Sequence, residues 1–178
     1  MWHIYSQKGG ALVKNTRITI FMGLFIALQI ILTRFLSIQT PIIRIGFSFL
    51  PLAISAMIFG PLIGGIGAAI ADIVGMMLFP VGAYFPGFTV TAFVSGAIYG
   101  LFLFEKPKTL TRISISVIIV SLLADLGLST IWLWMLTGKG FMALLPARSI
   151  KALIMLPIQI VMIRVIWKYV MGHIERVA

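Results

Sequence analysis

FSFLPLAISAMIFGPLIGGIGAAIADIVGMMLFP, residues 47–80, decides the fold of this chain. It holds 34 residues with one charge, Asp72, and one break, Gly60-Pro61. A helix rises 1.5 Å per residue and needs about 20 apolar residues to cross roughly 30 Å of hydrocarbon. The stretch is therefore too long for one membrane helix and short for two. Divided at Gly60-Pro61 it gives two helices of about 16 residues, each rising about 24 Å, which must be short or be sheltered by longer neighbours.

Working outward, the flanking sequence supplies four further apolar runs. The expected spans are 17–36, 46–61, 62–79, 86–104, 112–136 and 143–170, with an external loop at 36–45. Basic residues choose between five spans and six. With six spans and a cytoplasmic N-terminus, Lys8, Lys14, Arg17, Lys106, Lys108, Arg112, Arg164, Lys168 and Arg176 lie inside, against Arg34, Arg44, Lys139, Arg148 and Lys151 outside. That split follows the positive-inside rule. Reading 47–80 as one span would carry the Lys106/Lys108/Arg112 cluster outside and weaken it. The chain is expected to be an all-α integral membrane protein, a single membrane domain over 1–178 forming a compact six-helix bundle with both termini cytoplasmic. Lys14 and Arg17 before the first run imitate a signal peptide, but no small-x-small cleavage site follows, so the segment reads as a retained span.

Composition agrees. Residues A, V, I, L, M, F, W, Y and C make up 61% of 178, and charged residues 10%. A water-soluble globule of this size has too much surface to cover with so few polar side chains. The net charge of +10 would suggest nucleic acid in a soluble protein. Here it reads as topology and contact with anionic lipid head groups, with no nucleic-acid partner. The absence of Cys removes disulfides and thiolate chemistry. No GxxxxGK[ST] loop occurs, and Gly65-Ile66-Gly67 lacks both the third small residue and the preceding strand of a dinucleotide site. His3 and His173 lie near the termini, so no Ser-His pair or His-held metal is expected within the membrane, and no cofactor is implied.

Small residues recur at helical spacing: Gly60, Gly64 and Ala68, then Gly67, Ala71 and Gly75, with Gly96-xxx-Gly100 on the fourth span and Gly23-xxx-Ala27 on the first. Such rows let helix backbones approach closely, either within the bundle or against another membrane subunit. Asp72 and Asp125 fall deep in their spans, where a carboxyl needs a partner and faces the bundle interior or a wet cavity. The bland alternative is a buried pair with Arg148, Lys151 or backbone groups. Arg34, Arg44, Lys139, Arg148 and Lys151 sit on the side from which the topology rule removes cations, which suggests an anionic ligand. Arg148 and Lys151 share a helix face, and Pro146 just before them suits a first turn. Tyr84, Phe85, Phe88 and Trp132 lie at the same end. Each aromatic could belong to an interfacial belt, yet together with cations and an acid they suit a planar heterocycle with a carboxylate tail.

Arg44-Ile-Gly-Phe-Ser-Phe-Leu-Pro51, Phe59-Gly-Pro-Leu-Ile-Gly-Gly, Ala71-Asp72, Leu78-Phe-Pro80, Tyr84-Phe-Pro-Gly-Phe-Thr89 and Gly96-Ala-Ile-Tyr-Gly100 give the chain a family likeness. It resembles the substrate-binding S components of energy-coupling factor (ECF) vitamin transporters, above all the folate-specific members, from about residue 16 to 170. The resemblance implies a non-enzymatic subunit that captures a vitamin outside and pairs with a transmembrane T subunit and two ABC ATPase subunits. It also implies a small-xxx-small docking face on the first helix, here Gly23 and Ala27, and an external loop that caps the vitamin. Folate would place its glutamate dianion on Arg and Lys, with Asp72 accepting from the pterin ring N–H and exocyclic amine. Arg34, Arg44, Asp72, Tyr84, Phe85, Phe88, Thr89, Trp132, Arg148 and Lys151 are the expected binding residues. Pantothenate or a hydroxymethylpyrimidine would be other substrates of the same class. A small channel lacks a polar stripe, and a membrane enzyme lacks a nucleophile-base pair.

Overall fold

A computed structural model of the chain describes residues 10–39, 44–80, 84–138 and 141–177. Six helices follow in order: α1 Gly10–Arg34, α2 Phe49–Phe59, α3 Pro61–Leu78, α4 Pro86–Leu103, α5 Leu110–Thr137 and α6 Phe141–Val177. Four of them, within α3, α4, α5 and α6, are long and apolar enough to cross a membrane. The apolar part of α1, Ile18–Arg34, and α2 are shorter.

Gly60 makes the expected break in the deciding stretch. Its φ of +90° lies where a Cβ is disfavoured, and Pro61 opens α3 at a position that needs no backbone donor. The second expected span, 46–61, is corrected in length. Helix α2 has 11 residues and rises only about 16 Å, so it does not cross 30 Å of hydrocarbon unaided. Its residues Phe49 to Met57 are all buried, sheltered by α1, α3, α4 and α6.

The expected loop at 36–45 carries a short ribbon beside the helices. Ser37–Gln39 (β1) pairs antiparallel with Arg44–Gly46 (β2), Ile38 opposite Ile45. The alternation about these two isoleucines favours a strand. Residues 40–43, with Pro41, lie outside the described residues. This ribbon end of the bundle includes the close of α1 and α3, where Phe35 meets Phe79 edge to face at 5.1 Å. The opposite end carries Gly60 and the α4–α5 turn, where the Lys108 ammonium lies 4.8 Å from the centre of the Trp167 ring. Partial burial lowers the Lys108 pKa, opposed by the nearby Glu105 charge.

The small-residue rows on α3 and α4 are internal. A Cβ on Gly64 would stand 2.7 Å from Ala56, one on Gly96 2.7 Å from the Gly64 carbonyl oxygen, and one on Gly100 would run into Pro61. Gly23 behaves differently: nothing lies within 4 Å of a Cβ there, and it shares an exposed α1 face with Leu24, Ala27, Leu28 and Ile31.

Two irregularities bear on the site. Helix α5 contains a π-helical segment, Val120–Leu128, between α-helical ends, and Asp125 lies within it. Helix α6 begins at Phe141, so Pro146 is inside the helix, not in its first turn. A proline in a membrane helix is tolerated where neighbours compensate for its missing donor. Arg148 thus lies beyond the first turn, out of range of the helix N-terminal partial charge.

Candidate functional site

At the ribbon end, α1, α2, α3, α4, α5 and α6 enclose a cavity of about 680 Å3, within the range of small-molecule sites. Seven of the expected binding residues line it: Arg34, Asp72, Tyr84, Phe85, Phe88, Arg148 and Lys151. Residues separated by up to 117 positions in the chain thus face one volume.

One polar group gathers on the α1–α3–α4 side. Thr89 donates from Oγ1 to Asp72 Oδ2 at 2.9 Å, and the Tyr84 hydroxyl lies 3.1 Å from the same Thr89 oxygen. Arg34 ends α1 beside them, within electrostatic reach of Asp72. The glycine at 75 makes room for its guanidinium, since a Cβ there would come within 3.3 Å of Arg34 Nε. Arg34 Nε and Nη1 are buried with no hydrogen-bond partner among the described residues.

A second group joins α5 to α6. Lys151 Nζ lies 3.6 Å from Asp125 Oδ2, and Arg148 Nη2 donates to the Asp125 backbone carbonyl at 2.6 Å. The π-helical segment carries that carbonyl. The pairing foreseen as the bland alternative is therefore present. It holds two cations against the cavity wall.

Aromatic rings form the wall between. Phe85 packs edge to face on Phe88 at 6.2 Å and tilted on Trp132 at 5.6 Å. Trp132 is not among the lining residues. Its Nε1 donates to Thr91 Oγ1 at 3.1 Å, and it lies across Gly87, where a Cβ would stand 2.5 Å from the indole. Trp132 therefore backs Phe85 and fixes its position, as Thr89 fixes Asp72. Trp134, the neighbouring indole, is half exposed, as an interfacial ring would be. The side chain of Arg44, and Lys139 as a whole, lie outside the described residues. Gly23 and Ala27 are on the outer face of α1, away from the cavity lining.

Among the lining residues not expected from sequence, Tyr99 and Gln159 stand out by their depth of burial. Both are almost completely buried, at 1% and 6% exposure. The Tyr99 hydroxyl and Gln159 Oε1 have no hydrogen-bond partner among the described residues. Gln159 is the one Asn or Gln between residues 143 and 170, and a lone amide in an apolar span is a signal that was open to the sequence. Tyr99 gave none beyond its place in the Gly96–Gly100 motif.

Residues 17–167 match the family described as "ECF transporter, substrate-specific component". The chain is 50% identical over 158 residues to the folate transporter FolT of Clostridium novyi (strain NT), covering 89% of this chain and 92% of that protein. It is 38% identical over 152 residues to the folate transporter FolT of Leuconostoc mesenteroides subsp. mesenteroides, covering 82% of each. A solved structure, FolT bound with folic acid, superposes with a TM-score of 0.81 at 40% identity, covering 84% of this chain and 91% of that one.

Proposed function

Because the chain belongs to the family of substrate-specific components of ECF transporters, and is thus a multi-pass membrane protein and not an enzyme, we propose that it captures folate in the cavity at the ribbon end. One observation carries this reading: rings, cations and a carboxylate from five helices line a single volume of about 680 Å3. A flat pterin and its aminobenzoyl ring match Phe85 and Phe88, backed by Trp132. The glutamate dianion matches Arg148, Lys151 and Arg34, where a charge-assisted hydrogen bond contributes about 1.5–3 kcal/mol. Asp72, positioned by Thr89, is an acceptor for ring N–H groups. Arg44 on β2 belongs to the strand pair beside the opening. Pantothenate or a hydroxymethylpyrimidine would leave either the cations or the aromatic wall without a task.

The chain forms one membrane domain with six passes and both termini cytoplasmic, α2 and α3 together making the second and third passes. The basic clusters support this topology. Lacking a phosphate-binding loop, the chain obtains energy from a T subunit and two ATP-hydrolysing subunits. The exposed Gly23/Ala27 face of α1 is the docking surface for the T subunit, surrounded by lipid elsewhere.

Calorimetry with the purified solitary chain tests the reading. One folate should bind per chain in the absence of partners, because the lining comes from one folded bundle. Absence of folate binding, with heat released on adding an uncharged vitamin, would remove folate as the substrate.

A further inference from the structure

Phe104-Glu-Lys-Pro-Lys108 joins α4 to α5 at the end of the bundle opposite the ribbon. Two apolar spans of 18 residues stop at this turn, α4 ending at Leu103 and α3 beginning at Pro61. Such a helix rises about 27 Å, close to the thickness of bilayer hydrocarbon, so the turn lies where lipid head groups begin. Here the surface holds an open groove of about 350 Å3. Pro61, Gly100, Leu101 and Phe104 supply its apolar lining, and Glu105 and Lys106 its charge. Leu101 is 57% exposed. None of these residues lines the larger cavity at the ribbon end.

The turn holds two cations at fixed points. Lys106 Nζ donates to the Leu101 carbonyl at 2.7 Å, a contact that suits the negative end of α4. The half-buried Lys108 places Nζ 4.8 Å from the centre of the Trp167 ring. Glu105, just before them, has a φ of +51°, the one positive value at a non-glycine residue among those described, in a region where a side chain is disfavoured. Arg112, one turn into α5, and Arg164 and Lys168, on either side of Trp167 in α6, are exposed. Topology asks for cations at a membrane boundary but not for their exact placement, and a lysine serving topology alone is free to extend into water. Here a strained turn sets one ammonium beside an apolar groove and the other against an indole.

We propose that this groove, with Lys106 and Lys108, binds one anionic phospholipid of the surrounding membrane. An acyl chain lies on Leu101 and Phe104, and the phosphodiester accepts from the two ammonium groups. An ammonium has three donors, of which Lys106 places one on the Leu101 carbonyl. Charge selects the head group. A choline would meet Lys106, Lys108, Arg112, Arg164 and Lys168, with Glu105 as the acid among them; a singly negative head group meets the same field with the opposite sign. A soluble phosphate would satisfy the lysines but leave Leu101 uncovered. The site is independent of what the larger cavity takes.

Native mass spectrometry of the intact chain in detergent, with equimolar phosphatidylglycerol and phosphatidylcholine, tests the proposal. One phosphatidylglycerol should be retained per chain. Lys106→Gln and Lys108→Gln should each lower that retention about fivefold, the effect of one cation near a charged head group. Lys168→Gln should change it by less than about twofold, because a cation outside the groove adds only a screened contribution. Leu101→Trp leaves every charge and the capping carbonyl in place but fills the groove, and should lower retention as strongly as either lysine variant. It also keeps the test valid if Lys106→Gln unfolds the end of α4. Equal retention of the two lipids would overturn the proposal. Equal losses from Lys168→Gln and Lys108→Gln, with none from Leu101→Trp, would replace the site by diffuse attraction to an anionic leaflet. Displacement of the lipid by millimolar glycerol 1-phosphate would replace it by a soluble-anion site.

Discussion

Lys151 has two tasks on the proposed reading, and a single substitution confuses them. It pairs with Asp125, and it lines the cavity proposed to take the ligand tail. Lys151→Ala removes one of the two cations beside the half-buried Asp125 carboxylate, a change that destabilises the fold whatever the ligand does. Adding Asp125→Asn removes the carboxylate charge left short of its pair, so the double variant should recover most of the lost melting temperature. Its folate affinity should remain roughly tenfold or more below wild type, since the charge-assisted contact with the tail is still missing. Full recovery of affinity in the double variant would confine Lys151 to structure. Residue types and helix faces alone brought Arg148, Lys151, Asp72 and the Phe85/Phe88 rings to one site, because charge is expensive in lipid and declares itself. Thr89 and Trp132 were legible as members, but their supporting positions behind Asp72 and Phe85 depend on side-chain packing between helices. Gln159 carries no charge and so lacks the ionisable signal that marks the acids at depth, although a lone amide in a span is conspicuous for the same energetic reason.

Helix packing separates two kinds of small residue that look alike in sequence. Gly96 faces the Gly64 backbone, so Gly96→Ala forces α3 and α4 apart and should cost about 1–3 kcal/mol of overpacking. Gly23 faces open space, and Gly23→Ala should be neutral or stabilising by up to about 1 kcal/mol through helix propensity. Thermal unfolding of both variants in one detergent checks the contrast; a comparable loss from Gly23→Ala would mean that the α1 face packs internally. The Gly60-Pro61 break was readable because it combines a residue free to adopt positive φ with one suited to a first turn. The π-helical segment was not. Val120–Leu128 keeps an apolar pattern through Asp125, and nothing in that pattern distinguishes a hydrogen bond to the fifth residue from one to the fourth. The start of α6 was misread at Pro146 because the rule that places proline in first turns weakens where neighbouring membrane helices compensate. The ribbon at 37–46 escaped notice because three-residue strands are too short for alternation to stand out.

At the scale of the whole molecule, the proposed binding and docking roles fall on different surfaces. The cavity opens at the ribbon end, whereas the exposed Gly23/Ala27 face lies along α1 outside the lining. Ala27→Leu adds bulk only to that outer face and should leave folate binding by the solitary chain within about twofold, while blocking the close backbone approach a partner helix needs. ATP-dependent uptake by the assembled complex should fall at least tenfold. Loss of binding in the solitary variant, with assembly intact, would show that Ala27 supports the bundle itself. Helix α2 has a consequence for how the protein is made. At 11 residues it is too short to be retained in the bilayer as an independent segment, and its shelter includes α4 and α6, which follow it in the chain. As synthesis proceeds, α2 must wait beside α1 and α3 with one flank uncovered until the last long helix arrives. Maturation of the bundle is therefore governed by its C-terminal helix, and a nascent chain arrested before residue 141 would present an unfinished flank to the quality-control machinery of the membrane.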